Sequence, residues 1–398
     1  MLNYRLIKVF IFVILLIVFF DLQILAIRNQ IHDINILILS YLFLISHRFK
    51  DIIWFKYINY YCVFVILSCI YSSVFNHQPF WDVLRVTYPY LGLLSFFLCL
   101  KEKMNSYETL TLLKVISYLF CFCYILQWIL YPNVIFHGVD EFTNDQYRAR
   151  MACSLCCFIF IFLGINQYLI NNNKNELFVT LLGFLPAVIM GFRSVLASIV
   201  LFISLMVIHL TKHAKGSYLK LLFLLTIGFF LYQTPISQEK MGDMKERNET
   251  DNFNNEDYVR YASFFYYELE FQENILERII GGGIPLVDIE KGPLSPNNQY
   301  QLKVSNANDM GLFWNDLGII GLSNMIGIPA IILLISMIIF TFKECRDDNL
   351  QFIRFMLIAI LLASIMTSQE IYRHGNFVII GLLFYYVYVF NKEKNISI

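Results

Sequence analysis

Apolar residues in this chain come in long blocks, not in the alternation of a half-buried strand or the narrow stripe of a surface helix. Blocks lie near residues 6–27, 31–46, 57–75, 83–100, 110–131, 151–170, 177–192, 194–210, 218–234, 322–342, 351–367 and 373–390. A helix needs about 20 apolar residues to cross a hydrocarbon core about 30 Å thick. The pattern therefore predicts an all-α polytopic membrane protein with about twelve transmembrane helices. The second block is short and opens on His32 and Asp33. Leu177 to Leu210 holds one Lys or Arg, Arg193, within Gly191-Phe192-Arg193-Ser194. A single helix of that length would run about 51 Å, so two short spans meeting at a tight turn are expected.

Polar residues gather in one long interruption. It divides the chain into residues 1–234 (spans one to nine), 235–307 (a loop) and 308–398 (a short helix and the last three spans). The loop carries thirteen acidic and seven basic residues. Within it, Tyr258–Ile280 reads as a helix, with Tyr261, Phe264, Phe265 and Phe271 spaced to make one face. Gly281-Gly282-Gly283-Ile284-Pro285 stops that helix. Three glycines suit either a close backbone approach to a ligand or a plain helix terminator with a turn. Asn308–Phe342 is too long for one span. It is expected to split near Gly321 into a short outer-face helix, Asp309–Gly321, and a true span.

Composition agrees with the blocks. Of the 398 residues 58% are hydrophobic and 15% charged, against about 25% charged in soluble domains. The 30 basic and 30 acidic residues cancel, which argues against a nucleic-acid partner. The nine cysteines avoid the polar loop, where a disulfide framework would place them. Cys153-x-x-Cys156-Cys157 mimics a metal motif, but no second Cys or His pair accompanies it, and small packing residues are the better reading. The N-terminal block follows two basic residues but is too long for a cleaved signal and has no small-residue site after it. It is expected to remain as the first span.

Lys and Arg set the orientation, because cytoplasmic loops hold the excess. With a cytoplasmic N-terminus, seventeen basic residues fall on inside segments and six on short outside segments. The expectation is both termini inside and the long loop outside. The six outside residues, Arg28, Arg85, Arg148, Arg150, Arg193 and Arg373, are all arginine. Arginine is the residue for bidentate binding of phosphate or carboxylate.

Charge at membrane depth costs several kcal/mol and is by default a functional hypothesis. Asp21, Arg85, Arg193, Asp309, Asp316, Glu370, Arg373 and His374 form the set. The expected topology brings nearly all of them to the outer face. There they suit an anionic lipid-linked substrate such as a diphosphate. Snorkelling and ion pairing between helices explain any single member equally well.

Two segments carry a resemblance. Gly191-Phe192-Arg193-Ser194-Val195-Leu196-Ala197-Ser198 resembles the Ser- and Arg-rich helix start of the O-antigen polymerase and O-antigen ligase superfamily. Asn308-Asp309-Met310-Gly311-Leu312-Phe313-Trp314-Asn315-Asp316-Leu317-Gly318-Ile319-Ile320-Gly321-Leu322 resembles its second mark. Arg260 and the Gly281–Gly283 turn lie between them, as in that family. The likeness covers about residues 145–325. It implies a GT-C-like, metal-independent glycosyltransferase of the bacterial inner membrane. Such an enzyme needs no cofactor and acts on undecaprenyl-diphosphate-linked oligosaccharide at the periplasmic face. Membrane lipid and a chain-length regulator are the further partners implied. By resemblance, Arg193 and Arg260 would hold the diphosphate. Where ligases of the superfamily carry their proposed base histidine, this chain has Ala307, which argues against a ligase. Asp309 is then the candidate catalytic carboxylate, with His374 as another base. Arg85, Arg148, Arg150, Arg373, His374, Gly282 and Asn308 are candidate substrate-binding residues. A polymerase of O-antigen or capsule repeat units is the leading expectation. A flippase for the same lipid-linked unit and a ligase are the alternatives.

Overall fold

The computed structural model describes residues 4–22, 28–130, 133, 135–136, 151–172, 174–190, 193–211, 259–272, 274–286, 299–365, 371 and 374–396. Its regular elements there are all helical, and the sole extended pairing is an isolated bridge between Leu22 and Phe136. Three helical stretches are long and apolar enough to cross a membrane: Ile53–Val74, Phe80–Lys101 and Ser106–Leu130. Shorter apolar helices accompany them at Leu155–Asn171, Asn175–Ile189 and Leu196–Thr211. Large apolar side chains stay exposed along these and neighbouring helices, among them Leu37, Leu44, Leu67, Phe122, Ile129 and Ile332. A water-soluble surface does not carry apolar area on that scale, whereas a lipid-facing one does.

Three elements form the centre. In the helices Leu155–Asn171 and Asn376–Ile396, and in the stretch Tyr88–Lys101, nearly every side chain of the middle turns is buried. Small residues let their backbones approach. A Cβ at Gly92 would come within 2.7 Å of the Val378 nitrogen. Beside it, the Ser95 hydroxyl donates to the Val378 carbonyl at 2.8 Å. A Cβ at Gly183 would come within 2.6 Å of the Cys157 carbonyl. All nine cysteines are buried and free.

Several helix ends follow from local chemistry. Asn105 and Glu108 form a reciprocal capping box: Asn105 Oδ1 accepts from the Glu108 N–H at 2.7 Å, and Glu108 accepts from the Asn105 N–H at 3.1 Å. Asn274 caps Ile275–Ile280 by accepting from the Glu277 N–H at 2.8 Å. Gly281, with φ +89°, ends that helix. The run expected to divide near Arg193 holds two helices, Asn175–Met190 and Arg193–Thr211; the expected tight turn at Gly191 and Phe192 lies outside the described residues.

Four expectations need correction. The first block is not one straight span: its helix Tyr4–Leu16 stops at Ile17. Val18, Phe19 and Phe20 then take positive φ, a costly backbone for β-branched and bulky residues, held by burial of Val18 and Phe20 in the core. Second, the fourth block changes helix type. Phe80–Thr87 and Ser95–Lys101 are α-helical, but Tyr88–Leu94 between them is a 3-10 helix containing Pro89, which has no N–H to give to an α-helical bond. Third, Asp309–Gly321 is not a helix. Asp309 ends the helix Gln299–Asp309, Gly311 turns the chain with φ +77°, and a new helix starts at Gly318. The break within the following span falls at Gly327, between Gly318–Ile326 and Ile328–Glu344. Tyr258–Ile280, expected as one helix, is divided into Val259–Phe265, a π-helical turn Tyr266–Phe271, and Ile275–Ile280.

Candidate functional site

Polar contacts between distant segments sort the helix ends into two groups. In one group Lys8 pairs with Glu102 at 2.7 Å, Lys114 meets Glu176 at 4.0 Å, Ser106 and Glu393 bond, and Lys394 pairs with Asp347. All of these lie on ends that the Lys and Arg alternation assigns to one side. The second group joins ends assigned to the opposite side, and most of the predicted site residues that the structure describes lie there.

Its centre is built by three segments. The helix Arg28–Ser46 contributes His32 and Asp33 in its first turns. The stretch from Phe80 contributes Trp81, Asp82, Arg85 and Tyr88. The residues just before the helix Asn376–Ile396 contribute His374. The Tyr88 hydroxyl, on a residue 1% exposed, sits 2.7 Å from His32 Nδ1 and 3.1 Å from His374 Nε2. The rings of His32 and Tyr88 meet edge to face at 5.3 Å, and those of Tyr88 and His374 at 6.0 Å. These residues are anchored on their other side. The Cys153 N–H donates to the His374 carbonyl at 2.9 Å, Asn376 Oδ1 accepts from the Leu155 N–H, and Asn376 Nδ2 donates to Ser154.

Beside this chain of rings stands an ion cluster. Arg85 grips Asp33 with two bonds, Nε to Oδ1 at 2.7 Å and Nη2 to Oδ2 at 2.8 Å, and reaches Asp82 with Nη1 at 3.3 Å. The Trp81 indole N–H also donates to Asp33, at 3.2 Å. Among the described contacts, the one guanidinium meets both carboxylates. Arg85 thus fits the expected anion-binding role poorly: its bidentate face is occupied by Asp33.

The end of the helix Gln351–Ala363 reaches the second motif. Gly318 (φ +61°) and Ile319 lie against the end of the helix Gln351–Ala363, where the Ile319 N–H donates to the Ser364 carbonyl at 2.7 Å. The Ser364 hydroxyl accepts from the Ile371 N–H at 3.3 Å. Ile371 is three residues before His374 in the chain.

The glycine turn forms a second centre. Gly282 gives its N–H to the Asn324 carbonyl at 2.9 Å and takes the Asn76 side-chain amide on its own carbonyl at 2.8 Å. Gly283 donates to the Met325 carbonyl at 2.8 Å. Both polar groups of Gly282 are engaged by protein partners. Tyr300 closes the turn from the helix Gln299–Asp309 by donating to the Gly283 carbonyl at 2.7 Å. Burial first, then the nearby Glu277 carboxylate, pushes the Tyr300 hydroxyl well above its ordinary pKa, so it remains a donor. Tyr300→Phe strands that carbonyl in a buried site. The expected cost is about 1–3 kcal/mol, read as a lower melting temperature of the detergent-purified protein.

The remaining predicted residues are placed as follows. Asp309 is exposed at the end of its helix. Asn308 precedes it, with its side-chain Oδ1 buried and without a hydrogen-bond partner. Arg193 begins the helix Arg193–Thr211 and Arg260 lies in Val259–Phe265, but both side chains fall outside the described residues. Arg148, Arg150 and Arg373 lie outside them altogether. His32, Asp33 and Tyr88 were not among the predicted site residues. Their one sequence signal was a polar pair opening an apolar block. Tyr88 gave none, since tyrosine is frequent throughout the chain.

No model of a known protein family matches this chain, and no curated protein is detectably similar to it in sequence.

Proposed function

We propose that this protein is a polymerase of undecaprenyl-diphosphate-linked oligosaccharide repeat units, of O-antigen or capsule type. It acts at the periplasmic face of the bacterial inner membrane, as a GT-C-like bundle of about twelve spans with both termini in the cytoplasm. One observation carries the reading. The second motif, through Gly318, Ile319 and Ser364, and the segment before the last helix, through Ile371 and His374, meet at the helix ends assigned to the outer side. In this reading a sugar hydroxyl of the incoming unit attacks the anomeric carbon of the growing chain. The lipid diphosphate leaves with the bonding electron pair. Arg193 and Arg260 stabilise the charge that develops on it, a task that fixed guanidinium groups perform without a metal. The acceptor hydroxyl needs a base, and the outer end supplies imidazoles for it.

Arg193→Ala and Arg260→Ala are each expected to replace long-chain surface polysaccharide by single repeats on a gel, with those repeats accumulating outside the inner membrane. Wild-type chain length in both variants would overturn the reading. Accumulation on the cytoplasmic side would overturn it in favour of a flippase.

A further inference from the structure

We propose that the segment 269–280 is embedded in the outer leaflet of the bilayer, where Leu269, Ile275, Leu276 and Ile279 take lipid acyl chains. The sequence places this segment in an external loop. The inference rests on the membrane-spanning helices alone and does not need the polymerase reading.

Two helices give the depth of the segment. Ile53–Val74 and Ile328–Glu344 run side by side. At one end the Tyr57 and Phe340 rings stack at 6.0 Å, and Trp54 meets Phe340 edge to face at 5.0 Å. Lys56 and Lys343 lie beside that contact in the chain. They stand at the inner boundary, where lysine gathers. At the other end is the glycine turn. Asn274 Nδ2 donates to the Tyr71 hydroxyl at 3.2 Å. A Cβ at Gly283 would meet the Ser72 side chain at 2.3 Å, and one at Gly327 would come within 2.4 Å of the Ile279 carbonyl. Ser72 is sixteen positions from Lys56, and Gly327 is sixteen from Lys343. At a rise of 1.5 Å per residue both spacings are about 24 Å. The hydrocarbon core is about 30 Å thick. Each helix thus sets the turn, with the helix Ile275–Ile280 that leads into it, short of the outer boundary of the core. Tilting either helix would set it deeper.

The turn is built as that depth requires. Hydrocarbon offers backbone groups no hydrogen bonds, so non-helical backbone there must be enclosed by protein. Gly281, Gly282 and Gly283 are all buried. Their N–H groups donate to the carbonyls of Glu277 at 2.7 Å, Asn324 at 2.9 Å and Met325 at 2.8 Å, in that order. The Gly282 carbonyl accepts from Asn76 and the Gly283 carbonyl from Tyr300. The helix Ile275–Ile280 is inside out for a segment in water. Glu277 is 7% exposed, whereas Ile275 is 76% exposed, and Leu276 and Ile279 are exposed as well. This apolar face continues onto the exposed Ile70 and Val74 of one spanning helix and the exposed Ile328 and Ile332 of the other. Lipid that covers those helices would therefore cover the segment too. Arg278 and Glu270 are exposed beside the face, and long polar side chains reach from such a depth to the headgroups.

The test uses the full-length protein in nanodiscs of phosphatidylethanolamine and phosphatidylglycerol. A diazirine side chain, which forms a carbene in light, is placed at Ile275 and, separately, at Leu276. Phe122, exposed on the helix Ser106–Leu130, is the lipid reference, and Arg346, exposed at the inner end, is the water reference. The mass of each adduct identifies what the carbene met. Phospholipid adducts are expected at both positions, in yields near that of Phe122 and roughly tenfold above that of Arg346. Both positions are exposed, so an unchanged melting temperature is expected and verifies the fold. Water addition as the main product at either position would overturn the inference, as would a crosslink to a second copy or within the chain. Water addition at Phe122 as well would overturn the membrane reading itself.

Discussion

Gly318→Ala is expected to destabilise the protein by about 3 kcal/mol or more and to remove long-chain product with it. Gly318 has φ +61° and ψ −135°, a region that is essentially reserved for glycine and costs about 1–3 kcal/mol for other residues. The added methyl would also collide with the Ser364 carbonyl, and overpacking a tight site adds roughly 1–3 kcal/mol. Ser364 is where the second motif meets Ile371, three residues before His374, so relief of the clash moves that segment. The prediction is checked by a thermal melt in detergent together with chain length on a gel. A normal melt and normal chain length would show that the motif and that segment are not coupled.

Gly283→Ala is expected to cost about 2–4 kcal/mol by the same two effects. Gly283 has φ +85°, and a Cβ there would run into the Ser72 side chain on the helix Ile53–Val74. The two effects can be separated. Adding Ser72→Gly removes the collision but leaves the backbone strain, so the double variant should recover only part of the lost stability. Full recovery would place the whole effect in packing; no recovery would place it in the backbone. Either melt is informative because the turn also holds Asn324, Met325 and Asn76.

The sequence showed the helical blocks because hydropathy reports burial and lipid contact directly. It separated the helices Asn175–Met190 and Arg193–Thr211, since one charge in an unbroken apolar run has few places to go. It also ended the helix at Ile280, because three glycines cannot continue one. It missed what depends on partners far apart in the chain. Arg85 reads as an anion binder until Asp33, 52 positions away, is seen in its grip. Tyr88 and His374 are separated by 286 positions, and no local spacing announces such a pair. The 3-10 stretch Tyr88–Leu94 had one local sign, Pro89, whose missing N–H the hydropathy of the block does not register. Breaks at Ile17 and Gly327 escaped for a related reason: apolar composition is the same on both sides of a kink.

The central claim is that this one chain joins lipid-linked repeat units at its outer helix ends. Purified protein in vesicles, given a single lipid-linked oligosaccharide and no other acceptor, tests it most directly. The account predicts a ladder of products, each one repeat longer, with one undecaprenyl diphosphate released per bond formed. A lipid-linked unit that crosses the vesicle membrane without growing, or that is left unchanged, would contradict it.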